Sequence, residues 1–129
     1  MNPTAKKVLL IEDDKILIMV MKDNLAKAGI ATFEALDGKT GLDTALREKP
    51  DLILLDLDMP VMNGMQFLEA LRTDEWGKDA VVVAFTNSSS KESMDATRAL
   101  GVKEFIVKSN WDAKEALNRA LIFIGEKLP

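Results

Sequence analysis

The stretch that decides the fold is residues 51–64, Asp-Leu-Ile-Leu-Leu-Asp-Leu-Asp-Met-Pro-Val-Met-Asn-Gly. Its continuous apolar run, 52–55, predicts a strand that is covered on both faces and that delivers Asp56 to its carboxyl end. Pro60 favours extended backbone before it, and Asn63-Gly64 is a turn signal, so an ordered loop should lead from the strand into a helix. A carboxylate at this position is well placed for chemistry.

Outward from this strand, apolar runs and amphipathic stretches alternate along the chain, and there is no internal repeat or low-complexity tract. We predict strands at 8–11, 31–35, 52–55, 80–85 and 104–107, and helices at 15–28, 38–49, 64–73, 91–100 and 111–126. Five strands alternating with five helices predict an α/β fold, a mostly parallel sheet with helices on both faces. The flavodoxin-like doubly wound (βα)5 order 2-1-3-4-5 fits best, in a single domain, 1–129, with a core of about 7–126.

The composition limits the chemistry that this chain can perform. It has 129 residues, enough for one domain with a substantial core, and it contains no cysteine and no histidine. Disulfides, thiolate catalysis, zinc-thiolate sites and a histidine general base are therefore excluded. Carboxylates, hydroxyls and lysine remain, and these groups favour hard cations such as Mg²⁺. A net charge of −4 without a basic cluster argues against direct binding of nucleic acid.

Targeting signals are not evident in the sequence. No apolar run approaches the roughly 18 residues of a membrane span. Residues 1–7 lack the apolar core of a signal peptide. We therefore expect a cytoplasmic protein that does not contact a membrane.

Polar side chains follow four of the predicted strands, at the end where a parallel sheet of this order has its ligand crevice. Glu12 and Asp13 follow the first strand, Asp56 the third, Thr86 the fourth and Lys108 the fifth. Three carboxylates about 5 Å apart repel by about 3 kcal/mol per pair at an effective dielectric near 20, and Mg²⁺ together with the lysine would balance them. An aspartate so placed can act as a nucleophile toward phosphorus.

Each of these residues also has an ordinary structural interpretation. The acidic run 12–14 favours the start of the following helix, Thr86 is a turn hydroxyl, and most lysines, Lys108 included, lie on the surface. A single carboxylate at a strand end is most often a cap or a solvated charge. The functional interpretation rests on the combination of these residues, because each of the four strands delivers a complementary polar group to the same end of the sheet.

The sequence resembles the receiver domain of two-component response regulators, from Lys7 to the final helix. The most specific part is Asp56-x-x-Met59-Pro60-x-Met62-Asn63-Gly64, which is very close to the phosphoacceptor motif of that family. The resemblance implies that Asp56 receives a phosphoryl group from a histidine on a partner histidine kinase or histidine phosphotransfer protein. Such a domain is not an enzyme in the usual sense, since it catalyses only its own phosphotransfer and dephosphorylation.

The resemblance also implies the roles of the surrounding residues. Asp13, Asp56 and the backbone carbonyl of Asp58 would bind Mg²⁺ directly, and Glu12 would act through water. Lys108 would contact the phosphoryl group, and Thr86 would move to hydrogen-bond it.

Phe105 would be the aromatic switch whose rotamer follows Thr86, although strand alternation alone also predicts an apolar residue there. One departure concerns the residue after Lys108, where the family usually has a proline behind a cis bond and this chain has Ser109. A cis bond without proline costs about 2.5–4 kcal/mol, so we expect a trans bond.

The first helix carries apolar residues beyond its predicted core stripe of Leu17, Met21 and Leu25. Ile16, Ile18 and Met19 lie off this stripe, and exposed apolar side chains beside a site often mark a partner surface. In the family this helix docks the phosphodonor, which is the role that we expect for the three residues. The alternative is that the start of the helix is buried all round.

We expect no effector domain, because the chain ends soon after the last helix, although it could also be a fragment of a longer regulator. Output to a downstream protein partner should pass through the surface of the helix 91–100, the strand 104–107 and the last helix, in a monomer or a weak dimer.

Other functional classes also fit parts of the sequence. Asp56-Leu57-Asp58 matches the Asp-x-Asp opening of haloacid-dehalogenase-like phosphatases, which also form an aspartyl phosphate with magnesium. Pro60, however, stands where that motif has a hydroxyl residue. A flavin-binding module is disfavoured, since a phosphate cradle avoids acids such as those at 12–14. A degenerate receiver that only binds partners is the remaining alternative.

Overall fold

The computed structural model describes residues 5–129 and contains one five-stranded parallel sheet in the order β2-β1-β3-β4-β5. The strands are β1 (Lys7–Ile11), β2 (Ala31–Ala35), β3 (Leu52–Leu55), β4 (Val82–Thr86) and β5 (Glu104–Val107). The helices are α1 (Lys15–Lys27), α2 (Gly38–Glu48), α3 (Gly64–Arg72), α4 (Lys91–Ala99) and α5 (Ala113–Leu121). The predicted flavodoxin-like architecture and strand order are confirmed.

Two apolar cores form, one on each face of the sheet, because side chains of a strand point alternately to its two faces. Val8 and Leu10 lie in the core under α1 and α5, whereas Leu9 and Ile11 lie in the core under α2 and α3. All four residues of β3 are buried. The unbroken apolar run in the sequence thus reflects a central strand that is covered on both sides.

The boundaries of β4 and α5 differ from those predicted. β4 runs from Val82 to Thr86 rather than over 80–85, so Thr86 is the last residue of the strand. Asp112 caps α5 in a capping box with Glu115, and the helix therefore begins at Ala113 rather than at 111. Its α-helical part ends at Leu121, and a 3₁₀ turn, Ile122–Ile124, follows.

The first helix buries a different stripe from the one predicted. Ile18, Met21 and Leu25 are its buried residues, and Leu17 is only partly buried. The expectation that Ile18 lies off the core stripe is wrong. Residues spaced by three and seven positions share one face of a helix, and in α1 this face packs onto the sheet and α5.

Among the helices within residues 5–129, none combines the length and the apolar composition that a membrane span requires. Residues 1–4, which belong to the stretch used to exclude a signal peptide, lie outside the described residues.

Candidate functional site

Three carboxylates meet at the carboxyl end of the sheet, as the sequence predicts. Glu12 and Asp13 follow β1, Asp56 follows β3, and each offers an oxygen that lies within 4.8 Å of the other two. Glu12 and Asp56 are only 3% and 5% exposed, whereas Asp13 is exposed. The cluster therefore has two buried acids at its base and one acid open to solvent.

Asp56 is fixed by hydrogen bonds on both sides of its carboxylate. Its backbone N–H donates to the carbonyl of Ile11 at 3.0 Å, which continues the β1–β3 pairing as far as the site. Its Oδ1 accepts from the backbone N–H of Asp58 at 3.0 Å, and its Oδ2 accepts from Lys108 Nζ at 3.1 Å. The carboxylate is consequently held in one orientation with free lone pairs on both oxygens.

Lys108 reaches the site from the 3₁₀ turn Lys108–Asn110, directly after β5. Its Nζ lies 2.6 Å from Glu12 Oε1 and 3.1 Å from Asp56 Oδ2, and the side chain is only 14% exposed. The Nζ also lies over the ring of Phe85, 5.7 Å from its centroid. Burial alone would lower the pKa of Lys108, but the hydrogen bond to Glu12 and the charge of Asp56 outweigh it and raise that pKa.

The surroundings of Glu12 raise the pKa of its carboxyl group. Burial raises its pKa to about 7, although the hydrogen bonds from Lys108 and from the backbone N–H of Asp14 act in the opposite direction. The negative charge of Asp56 raises the pKa further. Near neutral pH the net negative charge of the cluster is therefore smaller than three ionised acids would give.

Thr86 is the last residue of β4, pairs with Val107 of β5, which directly precedes Lys108, and is fully buried. Its hydroxyl donates to Asp58 Oδ2 at 3.3 Å and accepts from the backbone N–H of Ser88 at 3.3 Å. Asp58 itself is exposed. The threonine hydroxyl is thus engaged with the second aspartate of the motif.

The loop after Asp56 contains a strained turn. Val61 has a φ of 69° and is 80% exposed, and the backbone N–H of Met62 donates to the carbonyl of Pro60 at 2.7 Å around it. A β-branched residue rarely adopts this conformation. The turn is anchored by Gly38, whose N–H donates to the carbonyl of Met62 at 3.1 Å. A Cβ at Gly38 would overlap that carbonyl.

The predicted site residues are brought together except for Phe105. The geometry gathers Glu12, Asp13, Asp56, Thr86 and Lys108, with Asp58 beside them. Phe105 is partly buried and packs against the core under α2 and α3, so its role as a switch stays a prediction. None of the peptide bonds within residues 5–129 is cis, which agrees with the expected trans bond before Ser109.

The proposed docking residues do not share one environment. Ile16 and Met19 are 75% and 70% exposed, whereas Ile18 is 4% exposed and cannot offer the same surface. Met19 and Ile18 line a groove of about 320 Å³ between α1 and the end of β2. Only the exposed members of the trio remain candidates for contact with a partner.

Sequence reasoning missed two features of the site. The first is Phe85, whose ring lies under Lys108, and the second is the hydrogen bond between Asp58 and Thr86. Strand alternation predicts that Phe85 is buried but gives no indication that a lysine lies above it.

The donor set suits a hard divalent cation. Carboxylate oxygens are the ligands that Mg²⁺ prefers, and Glu12, Asp13 and Asp56 supply three within 4.8 Å of one another. Asp13 is exposed, so the cluster is open to solvent on one side. The residues present therefore fit a magnesium site.

Comparison with known protein families gives an independent line of evidence. The model of the response regulator receiver domain matches residues 8–121. The polar-differentiation response regulator DivK of Brucella ovis is 29% identical over 104 residues, which cover 81% of this chain and 85% of DivK. The transcriptional regulatory protein PrrA of Mycobacterium tuberculosis is 30% identical over 105 residues, 81% of this chain.

Some of these relatives are longer proteins. The match covers 44% of PrrA and 29% of a protein-glutamate methylesterase/protein-glutamine glutaminase from Archaeoglobus fulgidus, which is 30% identical over 103 residues. The chain thus spans less than half the length of these two relatives.

Solved structures of similar fold include the chemotaxis response regulator CheY4 of Vibrio cholerae, with a TM-score of 0.83, 28% identity and coverage of 93% of this chain and 99% of that one. The phosphorylated cyanobacterial phytochrome response regulator RcpA has a TM-score of 0.81 and 26% identity, with coverage of 98% and 99%. The Mn²⁺-bound response regulator Rcp1 has a TM-score of 0.75 and 26% identity, with coverage of 83% and 84%.

Proposed function

Because this chain belongs to the response regulator receiver domain family, we propose that Asp56 accepts a phosphoryl group from a phosphohistidine of a partner protein and that this modification switches a protein-interaction surface. Receiver domains of two-component systems are signalling modules rather than enzymes in the usual sense. They take phosphoryl groups from histidine kinases and act on downstream partners. The observation that carries the assignment to Asp56 is that its buried carboxylate accepts from Lys108 Nζ at 3.1 Å and has an oxygen within 4.8 Å of oxygens of Glu12 and Asp13.

The chemical step is a nucleophilic substitution at phosphorus. A carboxylate oxygen of Asp56 forms the new O–P bond while the N–P bond of the phosphohistidine breaks, and the electron pair of that bond returns to the imidazole, which takes up a proton from solvent. Asp56 is only 5% exposed, so the donor has to present its phosphoryl group at the mouth of the cleft. The fixed orientation of the carboxylate lowers the entropic cost of the attack.

Lys108 and the acids have complementary roles in this step. Lys108 lies beside Asp56 Oδ2 and would stabilise the negative charge on the phosphoryl oxygens. Asp13, Asp56 and the backbone carbonyl of Asp58 would hold Mg²⁺, with Glu12 acting through water. When bound, the magnesium ion supplies positive charge that offsets the acids and the incoming phosphoryl group. The Mn²⁺-bound state of the related Rcp1 supports a divalent cation here.

Hydrolysis of the aspartyl phosphate would take place at the same site. A water molecule attacks the phosphorus, the O–P bond to Asp56 breaks, and the products are the carboxylate and inorganic phosphate. The domain would thereby limit the lifetime of its own signal. Thr86 would move to donate a hydrogen bond to the phosphoryl group. The rotamer of Phe105 would follow this movement of Thr86 and so transmit it to the rest of the domain.

The phosphodonor would dock on the exposed apolar residues of α1. Ile16 and Met19 are exposed and lie three positions apart on one side of α1, which begins three residues after Glu12. We propose these two residues, without Ile18, as contacts for a helix of the histidine kinase or histidine phosphotransfer protein. Apolar side chains that are exposed next to a reactive site are typical of partner surfaces.

Output would pass through the surface formed by α4, β5 and α5. We propose that the chain forms a single domain, located in the cytoplasm, that acts as a monomer or a weak dimer through this surface and binds no nucleic acid directly. A change of charge at the site would shift the equilibrium between two states of that surface.

The phosphatase alternative is not favoured. The receiver family model covers residues 8–121, and the acids that precede Asp56 in the chain converge on it as a receiver requires. The same convergence of acids, threonine and lysine argues against a degenerate receiver.

Intact-mass analysis after incubation with acetyl phosphate and Mg²⁺ tests the proposal. We expect one phosphoryl adduct in the wild type and in the Asp43→Asn control, which alters an exposed acid of α2. Asp56→Asn should form none. An adduct that persists in Asp56→Asn, or the absence of an adduct in the wild type, would contradict the assignment. Multiple turnover on small phosphate esters would favour the phosphatase.

A further inference from the structure

The Thr86 hydroxyl has a single proton, and Asp58 accepts it. The distance from Thr86 Oγ1 to Asp58 Oδ2 is 3.3 Å, and the threonine is fully buried. The backbone N–H of Ser88 donates to the same Oγ1 at 3.3 Å, so the hydroxyl proton is the one group that Thr86 has left to donate. A phosphoryl oxygen on Asp56 can receive this proton only if Asp58 gives it up.

Asp58 is itself tied to the acceptor. Its backbone N–H donates to Asp56 Oδ1 at 3.0 Å, which fixes the main chain that carries the Asp58 carboxylate. A continuous series of hydrogen bonds thus runs from Asp56 through Asp58 to Thr86. The side chain of Asp58 is exposed, so it can turn toward solvent without leaving an unsatisfied buried group.

We propose that the Asp58 carboxylate is a latch that positions the Thr86 hydroxyl in the unphosphorylated protein and that phosphorylation of Asp56 releases it. The proposal rests on the proposed function, because it assumes that Asp56 is the acceptor. The aspartyl phosphate carries a charge of about −1.5 to −2 in place of the single negative charge of the free Asp56 carboxylate. The additional negative charge repels the Asp58 carboxylate, and the phosphoryl group offers Thr86 three strong acceptors. Asp58 is thus a positioning residue that acts through Thr86.

The hydrogen bond from Thr86 to Asp58 stabilises the unphosphorylated state and therefore opposes phosphorylation of Asp56. Removal of the Asp58 side chain should strengthen binding of a phosphoryl mimic by about 5- to 10-fold, the order expected for one typical intramolecular hydrogen bond. Loss of the negative charge of Asp58 also strengthens binding of an anionic mimic. The effect of the lost charge does not require the Thr86 hydroxyl, whereas the effect of the released hydrogen bond does.

A double-mutant cycle separates them. Binding of beryllium fluoride, a mimic of a phosphoryl group on a carboxylate, is measured by calorimetry at saturating Mg²⁺ for the full chain. The variants are Asp58→Ala, Thr86→Val and the double variant, and Thr86→Val keeps the size and shape of the buried side chain. We expect Asp58→Ala to strengthen binding about 5- to 10-fold in the wild-type background and by less than about 2-fold in the Thr86→Val background.

Two further variants act as matched controls. Asp58→Asn removes the charge but keeps an oxygen that can accept the Thr86 proton, so it should strengthen binding less than Asp58→Ala does. Thr86→Ser retains the hydroxyl, and the effect of Asp58→Ala should persist in that background. Urea unfolding of each variant verifies that it is folded.

The outcomes are distinguishable. Equal strengthening by Asp58→Ala in all three Thr86 backgrounds would overturn the latch and leave the proposed function intact. Failure of the wild type to bind beryllium fluoride and to form the adduct with acetyl phosphate would overturn the proposed function, and the latch with it.

Discussion

Lys108 Nζ lies 2.6 Å from Glu12 Oε1, closer than the 3.1 Å that separates it from Asp56 Oδ2. The lysine is therefore shared between an acid that follows β1 and an acid that follows β3. With one positive charge against the cluster of Glu12, Asp13 and Asp56, the site has an excess of negative charge that a divalent cation or partial protonation has to offset.

The shared lysine should matter for the stability of the metal-free protein. Lys108→Met leaves two largely buried acids without their cation, and removal of one partner from a buried pair typically costs about 3–5 kcal/mol. Urea unfolding in the presence of a chelator measures the loss, and Mg²⁺ should recover part of it. Lys114→Met, at an exposed position of α5, is the control and should change stability little. Equal stability of the two variants would contradict the pairing.

The raised pKa of Glu12 predicts a characteristic pH dependence. Burial raises this pKa from the ordinary value of 4.5 to about 7, so between these pH values the unfolded chain has lost the proton that the folded protein retains. The contribution of Glu12 to stability is fully present below pH 4.5 and is lost as the pH rises toward 7. The free energy of unfolding of the wild type, relative to Glu12→Gln, should therefore fall over this range.

Metal-free protein is required for this measurement, because a bound cation would favour the ionised acid. A difference between the wild type and Glu12→Gln that stays constant from pH 5 to pH 7 would show that the pKa of Glu12 is not raised.

The ring beneath Lys108 should stabilise its ammonium group. Cation–π contacts are worth about 0.5–1 kcal/mol at exposed sites and about 2 kcal/mol when desolvated. Phe85→Leu should accordingly destabilise the wild type by more than it destabilises the Lys108→Met variant, and the difference between the two losses should be about 0.5–2 kcal/mol. Identical losses in both backgrounds would show that Phe85 contributes only through core packing.

The turn at Val61 stores strain that a substitution can release. A left-handed conformation costs an L-residue about 1–2 kcal/mol, and asparagine tolerates it better than valine does. Since Val61 is 80% exposed, little buried area is lost, and Val61→Asn should stabilise the protein by about 0.5–1 kcal/mol in urea unfolding. Val61→Ala lacks the short polar side chain that can hydrogen-bond locally in this conformation and should stabilise less. Destabilisation by Val61→Asn would mean that the valine makes a compensating contact.

Local sequence patterns were sufficient for much of the fold. The apolar run of β3 and the turn residues around it predicted the central strand with its observed boundaries, and β2 and β5 were predicted with the same accuracy. These elements are bounded by residues whose preferences act over a few positions, such as Gly29 and Pro50.

Element ends and helix orientation were harder to predict. The capping box at Asp112 places the start of α5 at Ala113, two residues after the predicted start at 111. In α1 the apolar residues at 16–19 fit more than one stripe, and only packing onto the sheet and α5 selects Ile18. Periodicity is ambiguous when most positions of a turn are apolar.

The sequence by itself determined the order of the strands and the identity of the converging acids, threonine and lysine, because strand periodicity is local and right-handed crossovers leave few topologies. Only the tertiary structure decided how these groups pair. Lys108 meets Asp56 across 52 positions and lies closer to Glu12 than to Asp56, and Thr86 meets Asp58 across 28 positions. Such contacts depend on side-chain rotamers and on packing between strands, which no local pattern specifies.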